Sequence, residues 1–267
     1  MDRQTNNGVT IVDVWKDNLD EELLYISGLI KEYPYIAMDT EFPGVVVKPI
    51  LSKLTSPEYA YQNIRLNCNL MKLIQLGLTF SDEEGHFPPD GRCIFQFNFQ
   101  FNELSDINAQ KSINLLKKSG LNFDMHRDRG IDPLEFAEKF TMSGLVLSKE
   151  VRWVAFHASY DFGYLIKVMT NQPLPEDSDD FFQMIEFYFP YLYDTKFLMK
   201  SCKELSGGLD SLADAMKVTR IGTAHQAGSD SALTLKSFIA LMSNYFEDNF
   251  DDEKYIGHIY GLKGIER

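Results

Sequence analysis

Apolar positions along this chain recur in two periods, and the switches between them predict the order of elements. Leu19, Leu23, Ile26, Leu29 and Ile30 lie close to a 3.6-residue spacing and predict a first helix over 18–32. Tyr35-Ile36-Ala37-Met38 then reads as a strand running to position 41, with Ile36, Met38 and Thr40 on one face and Asp39 and Glu41 on the other. Ser56-Pro57 supplies an N-cap and a first helical position for a helix over 57–70. Apolar runs at 72–80 and 93–101 flank the turn cluster 81–91 and predict an antiparallel pair, the first central in its sheet and the second nearer an edge. Helices are expected over 106–118, ending at Gly120, and over 132–142, ending at Gly144. Trp153-Val154-Ala155-Phe156 fits a buried parallel strand. The helix after it carries Phe162, Leu165, Ile166 and Met169 on one face. Further helices are expected over 178–188, from Asp194-Thr195, over 209–217, from about 227 with the stripe Leu235, Phe238, Ile239, Met242 and Phe246, and within 251–260. Residues 1–10 are expected to be flexible, and 11–15 to dock as a short apolar segment. No internal repeat, low-complexity linker or composition break divides the rest, so interleaved strands and helices predict one α/β domain over 11–264.

Composition narrows the setting. A chain of 267 residues with 44% hydrophobic and 13% aromatic content buries a sizeable core. The first residues lack the apolar run of a signal peptide, and no stretch approaches the roughly 18 apolar residues of a membrane span, so no membrane partner is expected. Cys68, Cys93 and Cys202 have neither zinc nor redox spacing and read as reduced thiols of a cytosolic or nuclear protein. The net charge of −13 argues against sequence-blind polyanion binding through a basic surface. It leaves room for a small nucleic-acid site whose metal ions bring the positive charge. Acidic runs at 82–84, 176–180 and 247–253 read as solvated loops and helix ends.

The candidate chemistry centres on Met38-Asp39-Thr40-Glu41-Phe42-Pro43-Gly44. Two carboxylates side by side at a strand end, with Cα atoms roughly 7 Å apart, repel each other and lose solvation. A divalent cation between them removes both problems, and oxygen ligands suit Mg²⁺ or Mn²⁺. Pro43 stops the strand and Gly44 permits a tight turn at the mouth of the site. Taken alone, such a pattern is more often a solvated strand end. Asp161 starts a helix just past the end of a strand, where open α/β sheets place their sites; its plain alternative is a carboxylate on a helix dipole. His225 and Asp230 lie on a loop and in the first turns of the last long helix, the alternative being a surface loop with a helix cap. His86 and His126 fall among turn residues and His258 near the C-terminus, while His157 reads as a satisfied structural histidine.

Together the order Asp-x-Glu, Asp, His-x4-Asp resembles the DEDD exonuclease superfamily in its histidine-bearing branch. The stretch 38–46, Phe95-Gln96-Phe97-Asn98-Phe99, Phe156-His157 with 160–165, and His225-Gln226-Ala227-Gly228-Ser229-Asp230-Ser231 are similar to the CAF-type deadenylases. These are the CCR-associated-factor subunits of the CCR–NOT mRNA deadenylase complex. The resemblance runs from about Val12 to Leu262; Thr223-Ala224 stands where the family commonly shows Pro-Gln, and the end reads Gly261-Leu262-Lys263-Gly264. It implies an RNase H-like mixed sheet flanked by helices, and removal of poly(A) from mRNA 3′ ends one nucleotide at a time with release of 5′-AMP. It also implies two divalent metal ions, Mg²⁺ or Mn²⁺. Asp39 is expected to bridge them, Glu41 and Asp230 to complete the site that holds the attacking water, Asp161 to serve the second ion, and His225 to act as general base. Phe42 is a candidate for stacking on the terminal base, against the alternative of core packing. Lys196, Lys200 and Arg220 are candidate phosphate contacts. The implied partners are the mRNA poly(A) tail, the NOT scaffold subunit, a leucine-rich-repeat deadenylase subunit and BTG/Tob-type regulators. Candidate docking surfaces are 57–70, 132–142 and 247–260. Cytoplasm, including processing bodies, and nucleus are the expected locations. Two other readings remain open: a bridging module with vestigial catalysis, which loss of any of the five residues would favour, and a DEDD exonuclease acting on DNA or other RNA ends.

Overall fold

The computed structural model of the chain describes residues 3–6, 8–48, 56–246 and 250–262. Its strands are β1 (Arg3–Asn6), β2 (Val9–Val14), β3 (Tyr35–Glu41), β4 (Gln75–Ser81), β5 (Arg92–Asn98), β6 (Arg152–Ala155) and β7 (Leu192–Asp194). They form one mixed sheet in the order β1-β2-β5-β4-β3-β6-β7. β4 runs antiparallel to both neighbours, β3 and β5. The pairs β2/β5, β3/β6 and β6/β7 are parallel. The antiparallel pair read from the sequence is thus present, with its first strand at the centre and buried at every position. The apolar segment at 11–15 is the strand that covers β5, and residues 3–6, expected to be flexible, pair antiparallel with it as an edge strand.

The helices are α1 (Leu19–Leu29), α2 (Ser56–Leu70), α3 (Gln110–Lys118), α4 (Phe123–Arg129), α5 (Pro133–Met142), α6 (Ser159–Thr170), α7 (Ser178–Tyr188), α8 (Thr195–Leu198), α9 (Leu209–Ala215), α10 (Ala227–Tyr245) and α11 (Asp252–Tyr255). One face of the sheet, with Met38, Leu76, Phe97 and Trp153, packs on Leu23, Ile64, Phe136, Phe162 and Ile185 from α1, α2, α5, α6 and α7. The other face, with Ala37, Val154 and Tyr193, packs on Leu235, Phe238 and Leu241 of α10 and on Leu212 and Tyr255. The result is a three-layer α/β arrangement, as the interleaved periods predict.

Three differences from the sequence reading have local causes. The helix expected from 106 starts only at Gln110, because the Asp106 carboxylate accepts from the Asn102 N–H at 2.8 Å and holds that stretch in a turn. α4, where no helix is expected, is capped by Asn122, whose side chain accepts from Met125 N–H. β7 has three residues, too few for a period to register.

Candidate active site

The C-terminal end of β3 carries the first two carboxylates. Ile36 and Met38 belong to one core and Ala37 to the other, so alternation turns Asp39 and Glu41 toward α10, where both are half-buried. β6 pairs with β3 only as far as Ala37, leaving the backbone of Thr40 without a strand partner on that side. Asp161, in the first turn of α6, takes that place: its Oδ1 accepts from the Thr40 N–H at 2.9 Å and from the Thr40 hydroxyl. Beyond β3, Gly44 turns with φ +95°, and a Cβ there would meet the Ser112 hydroxyl at 2.3 Å, so the turn at the mouth of the site needs a glycine.

Asp230 arrives from the other layer. α10 begins directly on β4 at Gly77, the residue that pairs with Asp39, and a Cβ on Gly77 would lie 1.9 Å from the Ala227 carbonyl oxygen. Two N–H groups at the helix start are satisfied by the sheet beneath: Ala227 donates to Gln75 Oε1 at 3.3 Å and Gly228 to Gln96 Oε1 at 3.0 Å. The carboxylate of Asp230 accepts from the His225 N–H at 2.9 Å and from the Arg220 guanidinium. His225 itself is exposed and left-handed, with φ 60°, a conformation that costs about 1–3 kcal/mol and persists only where the surroundings enforce it. They do: its N–H is held by Asp230, and its carbonyl accepts from the Ser119 hydroxyl at 2.9 Å. A ring nitrogen of His225 and carboxylate oxygens of Glu41 and Asp230 lie within 4.8 Å of one another.

Burial and mutual repulsion govern the charge state. Burial raises Asp39 well above the usual carboxylate range, and the charges of Asp161, Asp230 and Glu41 add to it. Burial, then Asp230 and Asp161, push Glu41 to about 8. Asp161 is raised to about 6 by burial, against the bonds from Thr40 that favour its anion. Asp230 is raised by burial, against the charge and hydrogen bond of Arg220. Four carboxylates that resist ionisation together, with an imidazole beside them, make a donor set that suits hard divalent cations. A separate cavity of about 660 Å³ opens behind Gln226, lined by Asp13, Trp15, Asn98 and His126 among others; none of the four carboxylates lines it.

The family model of the CAF1 family ribonucleases matches residues 14–146 and 139–238. This chain belongs to the CAF1 ribonuclease family. It is 48% identical over 266 residues to the probable CCR4-associated factor 1 homolog 7 of Arabidopsis thaliana, covering 98% of this chain and 96% of the plant protein. It is 47% identical over 252 residues to the poly(A) ribonuclease pop2 of Schizosaccharomyces pombe, covering 94% and 75%. Among solved structures, S. pombe Pop2p in its Mg²⁺- and Mn²⁺-bound form superimposes with a TM-score of 0.91 at 47% identity, over 94% of this chain and 99% of that one. A yeast CAF1 co-crystallised with the NOT1 MIF4G domain matches with a TM-score of 0.81 at 33% identity, over 97% and 100%. Exonuclease I, at 12% identity and a TM-score of 0.55 over 79% of this chain and 41% of its own, shares the fold. The RNase H-like mixed sheet with flanking helices is therefore the fold of this CAF1-family chain.

Around the CAF1-family carboxylates, other expectations sort differently. Phe42 packs against the main core, its ring stacked on Tyr160 at 5.0 Å and Tyr164 at 5.1 Å, which favours the packing alternative over a base platform. Arg220 is engaged by Asp230 and Asp210, so it does not stand open to a phosphate. Lys196 and Lys200 lie on the flank next to the end of β6, 5.5 and 4.7 Å from the Tyr260 ring centroid. His157 is exposed and edge-on to Tyr260 at 5.2 Å, so it is not the satisfied interior histidine its position after a strand suggests. His126, expected in a turn, is the buried one: it sits in α4 with Nδ1 on the Phe99 carbonyl at 2.9 Å, and burial lowers it to about 4. Asp194, which reads from sequence only as a helix start, is buried and accepts backbone N–H groups from His157, Ala158, Lys196 and Tyr260 at 2.9–3.1 Å. It fixes the segment that leads into Asp161.

The Gly77 contact carries a prediction. Gly77→Ala forces the start of α10 off the sheet, and overpacking of this kind costs about 1–3 kcal/mol. A drop in melting temperature of roughly 3–10 °C is expected. An unchanged thermal melt would mean that α10 seats elsewhere.

Proposed function

We infer that this chain is a 3′→5′ exoribonuclease that shortens the poly(A) tails of mRNA, releasing 5′-AMP, as a subunit of the CCR–NOT complex. The observation that carries the reading is the convergence of Asp39 and Glu41 from β3, Asp161 from α6, and His225 and Asp230 from the start of α10 on one end of the sheet. Family membership supports a ribonuclease, the poly(A) ribonuclease pop2 supports the tail as substrate, and the yeast CAF1 bound to NOT1 supports the scaffold as partner. The donor set, and the two cations named for S. pombe Pop2p, support two divalent ions, Mg²⁺ or Mn²⁺, which Asp39, Glu41, Asp161 and Asp230 would hold. Ions bound there supply a water acidic enough to ionise near neutral pH and neutralise charge on the phosphodiester.

The chain's own residues do the rest. His225 takes the proton from the attacking water at the ring nitrogen near Glu41 and passes it to solvent, to which its ring is open. Asp230 keeps the His225 backbone in its left-handed turn, so the ring stays beside Glu41. Thr40 fixes the oxygen of Asp161, and Asp194 the loop that precedes it. Lys200, beside Tyr260, is the lysine proposed to meet phosphates of the incoming strand, whereas the Lys196 ammonium donates to the Gly207 carbonyl. Leu70 on α2, and Leu134 and Met142 on α5, are exposed apolar side chains; they support these helices as faces for the scaffold, the leucine-rich-repeat deadenylase and BTG/Tob-type regulators. Three free, buried cysteines support a reducing location, cytoplasm or nucleus.

The test is a 5′-labelled RNA with a short oligo(A) tail, incubated with Mg²⁺ or Mn²⁺ and with chelator. The expected result is a ladder that shortens from the 3′ end, stops where the adenosines stop, and disappears with chelator. Shortening that runs on through other bases keeps the nuclease and discards poly(A) specificity. No shortening with either metal favours the bridging module.

A further inference from the structure

Among the described residues, Arg220 is the cation in direct contact with one of the four carboxylates. It comes from the loop between α9 and α10. Its Nη1 donates to Asp230 Oδ1 and, at 3.2 Å, to the Ser229 hydroxyl, while Nη2 donates to Asp210 Oδ1 at 2.7 Å. The two carboxylates differ in setting: the Asp210 side chain is 76% exposed and that of Asp230 only 12%, so the bond to Asp230 is the less screened. With Oδ2 of Asp230 taken by the His225 N–H, the carboxylate is aimed from both sides. A guanidinium keeps its charge at any working pH, so this grip does not relax by deprotonation.

We propose that Arg220, a fixed positive charge held against the Asp230 carboxylate, holds down the affinity of the site for a divalent cation. The proposal rests on the metal-dependent reading above. A cation held by the Asp230 carboxylate would feel the repulsion of Arg220 at close range in a half-buried setting, where charges interact more strongly than in bulk water. The fork spans Asp210 on α9 and Ser229 and Asp230 on α10, which keeps the charge beside the Asp230 carboxylate.

The experiment measures Mn²⁺ affinity of the full chain by calorimetry, at fixed pH and ionic strength. Arg220→Gln, which keeps a planar donor without charge, is expected to bind Mn²⁺ on the order of ten-fold more tightly than wild type. Arg220→Lys, which keeps the charge, stays within about two-fold. Equal or weaker binding by a folded Arg220→Gln overturns the proposal. Should that variant not fold, Asp210→Asn decides, since Asp210 is a surface group. It leaves Arg220 with Asp230 as its carboxylate partner, and Mn²⁺ binding should weaken by roughly three-fold; unchanged affinity overturns the proposal. Wild-type protein that binds no Mn²⁺ refutes the metal reading and this proposal with it, whereas wild-type binding without these differences refutes only the role of Arg220.

Discussion

Asp39→Asn is expected to abolish 3′-end shortening while making the chelated protein melt at a higher temperature. The two effects have one cause. Asp39 is raised by burial and by three neighbouring carboxylates, so its charge destabilises the folded chain unless cations offset it. The amide keeps the shape and removes the charge. In chelator, removal of an uncompensated carboxylate is expected to stabilise by about 1–3 kcal/mol, a rise of roughly 3–8 °C. In Mn²⁺ the advantage shrinks or reverses, because wild type gains binding energy that the variant lacks. Activity should fall on the order of 10³-fold or more, since a carboxylate proposed to hold the cations is lost. Stability bought at the cost of activity is the signature of a strained functional site. A variant that melts lower than wild type in chelator would show that Asp39 is held by contacts rather than tolerated against its desolvation.

The pH dependence of stability should carry the mark of Glu41. In the folded chain Glu41 holds its proton to about pH 8, whereas its ordinary value is 4.5. The folded state therefore binds more protons than the unfolded one between those limits. The associated stability is fully present below about pH 4.5 and is lost as pH rises toward 8. Asp161 acts in the same direction between 3.8 and about 6. His126 acts in the opposite direction: held neutral to about pH 4 against an ordinary 6.5, it removes stability as pH falls through that window. The windows overlap between about 4.5 and 6.5, where Glu41 and Asp161 together outweigh His126, so chelated wild type should lose stability on balance as pH rises from about 4.5 to 8. Glu41→Gln removes the largest share of this loss above pH 6 that a single resolved group carries, and leaves the contributions of Asp39 and His126 in place. Between pH 6 and 8, wild type is expected to lose on the order of 5 °C of melting temperature relative to this variant. Parallel profiles for the two proteins would refute the assignment, and saturating Mn²⁺ should flatten the wild-type profile.

The parts of this molecule that sequence makes legible are those with a period or a position at an element end. Strand 35–41 matches β3, and the helices at 57–70, 132–142 and 178–188 match α2, α5 and α7 to within one residue. The four carboxylates and His225 were visible because each stands where an element begins or stops, a place strand alternation and capping rules describe. What holds them was not visible. Thr40 and Asp161 are 121 positions apart, and the start of α10 takes its hydrogen bonds from Gln75 and Gln96, more than 130 positions earlier. A signal for that support did exist: Gln75, Gln96 and Asn98 are polar residues set in otherwise apolar runs, and buried amides of that kind need partners. Arg220 read as a phosphate contact because a lone arginine in a loop looks free; its partners, ten positions either side, become neighbours only when α9 and α10 pack.

The seating of α10 on Gly77 has a consequence for the newborn protein. Asp39 and Glu41 are made first, Asp161 next, and His225 and Asp230 last of the five, at a helix whose docking requires β4 and β5 to be already in place. No contiguous fragment that stops before α10 can assemble the constellation. A nascent polypeptide whose α10 is still inside the ribosome holds Asp39, Glu41 and Asp161 and lacks the other two members of the constellation.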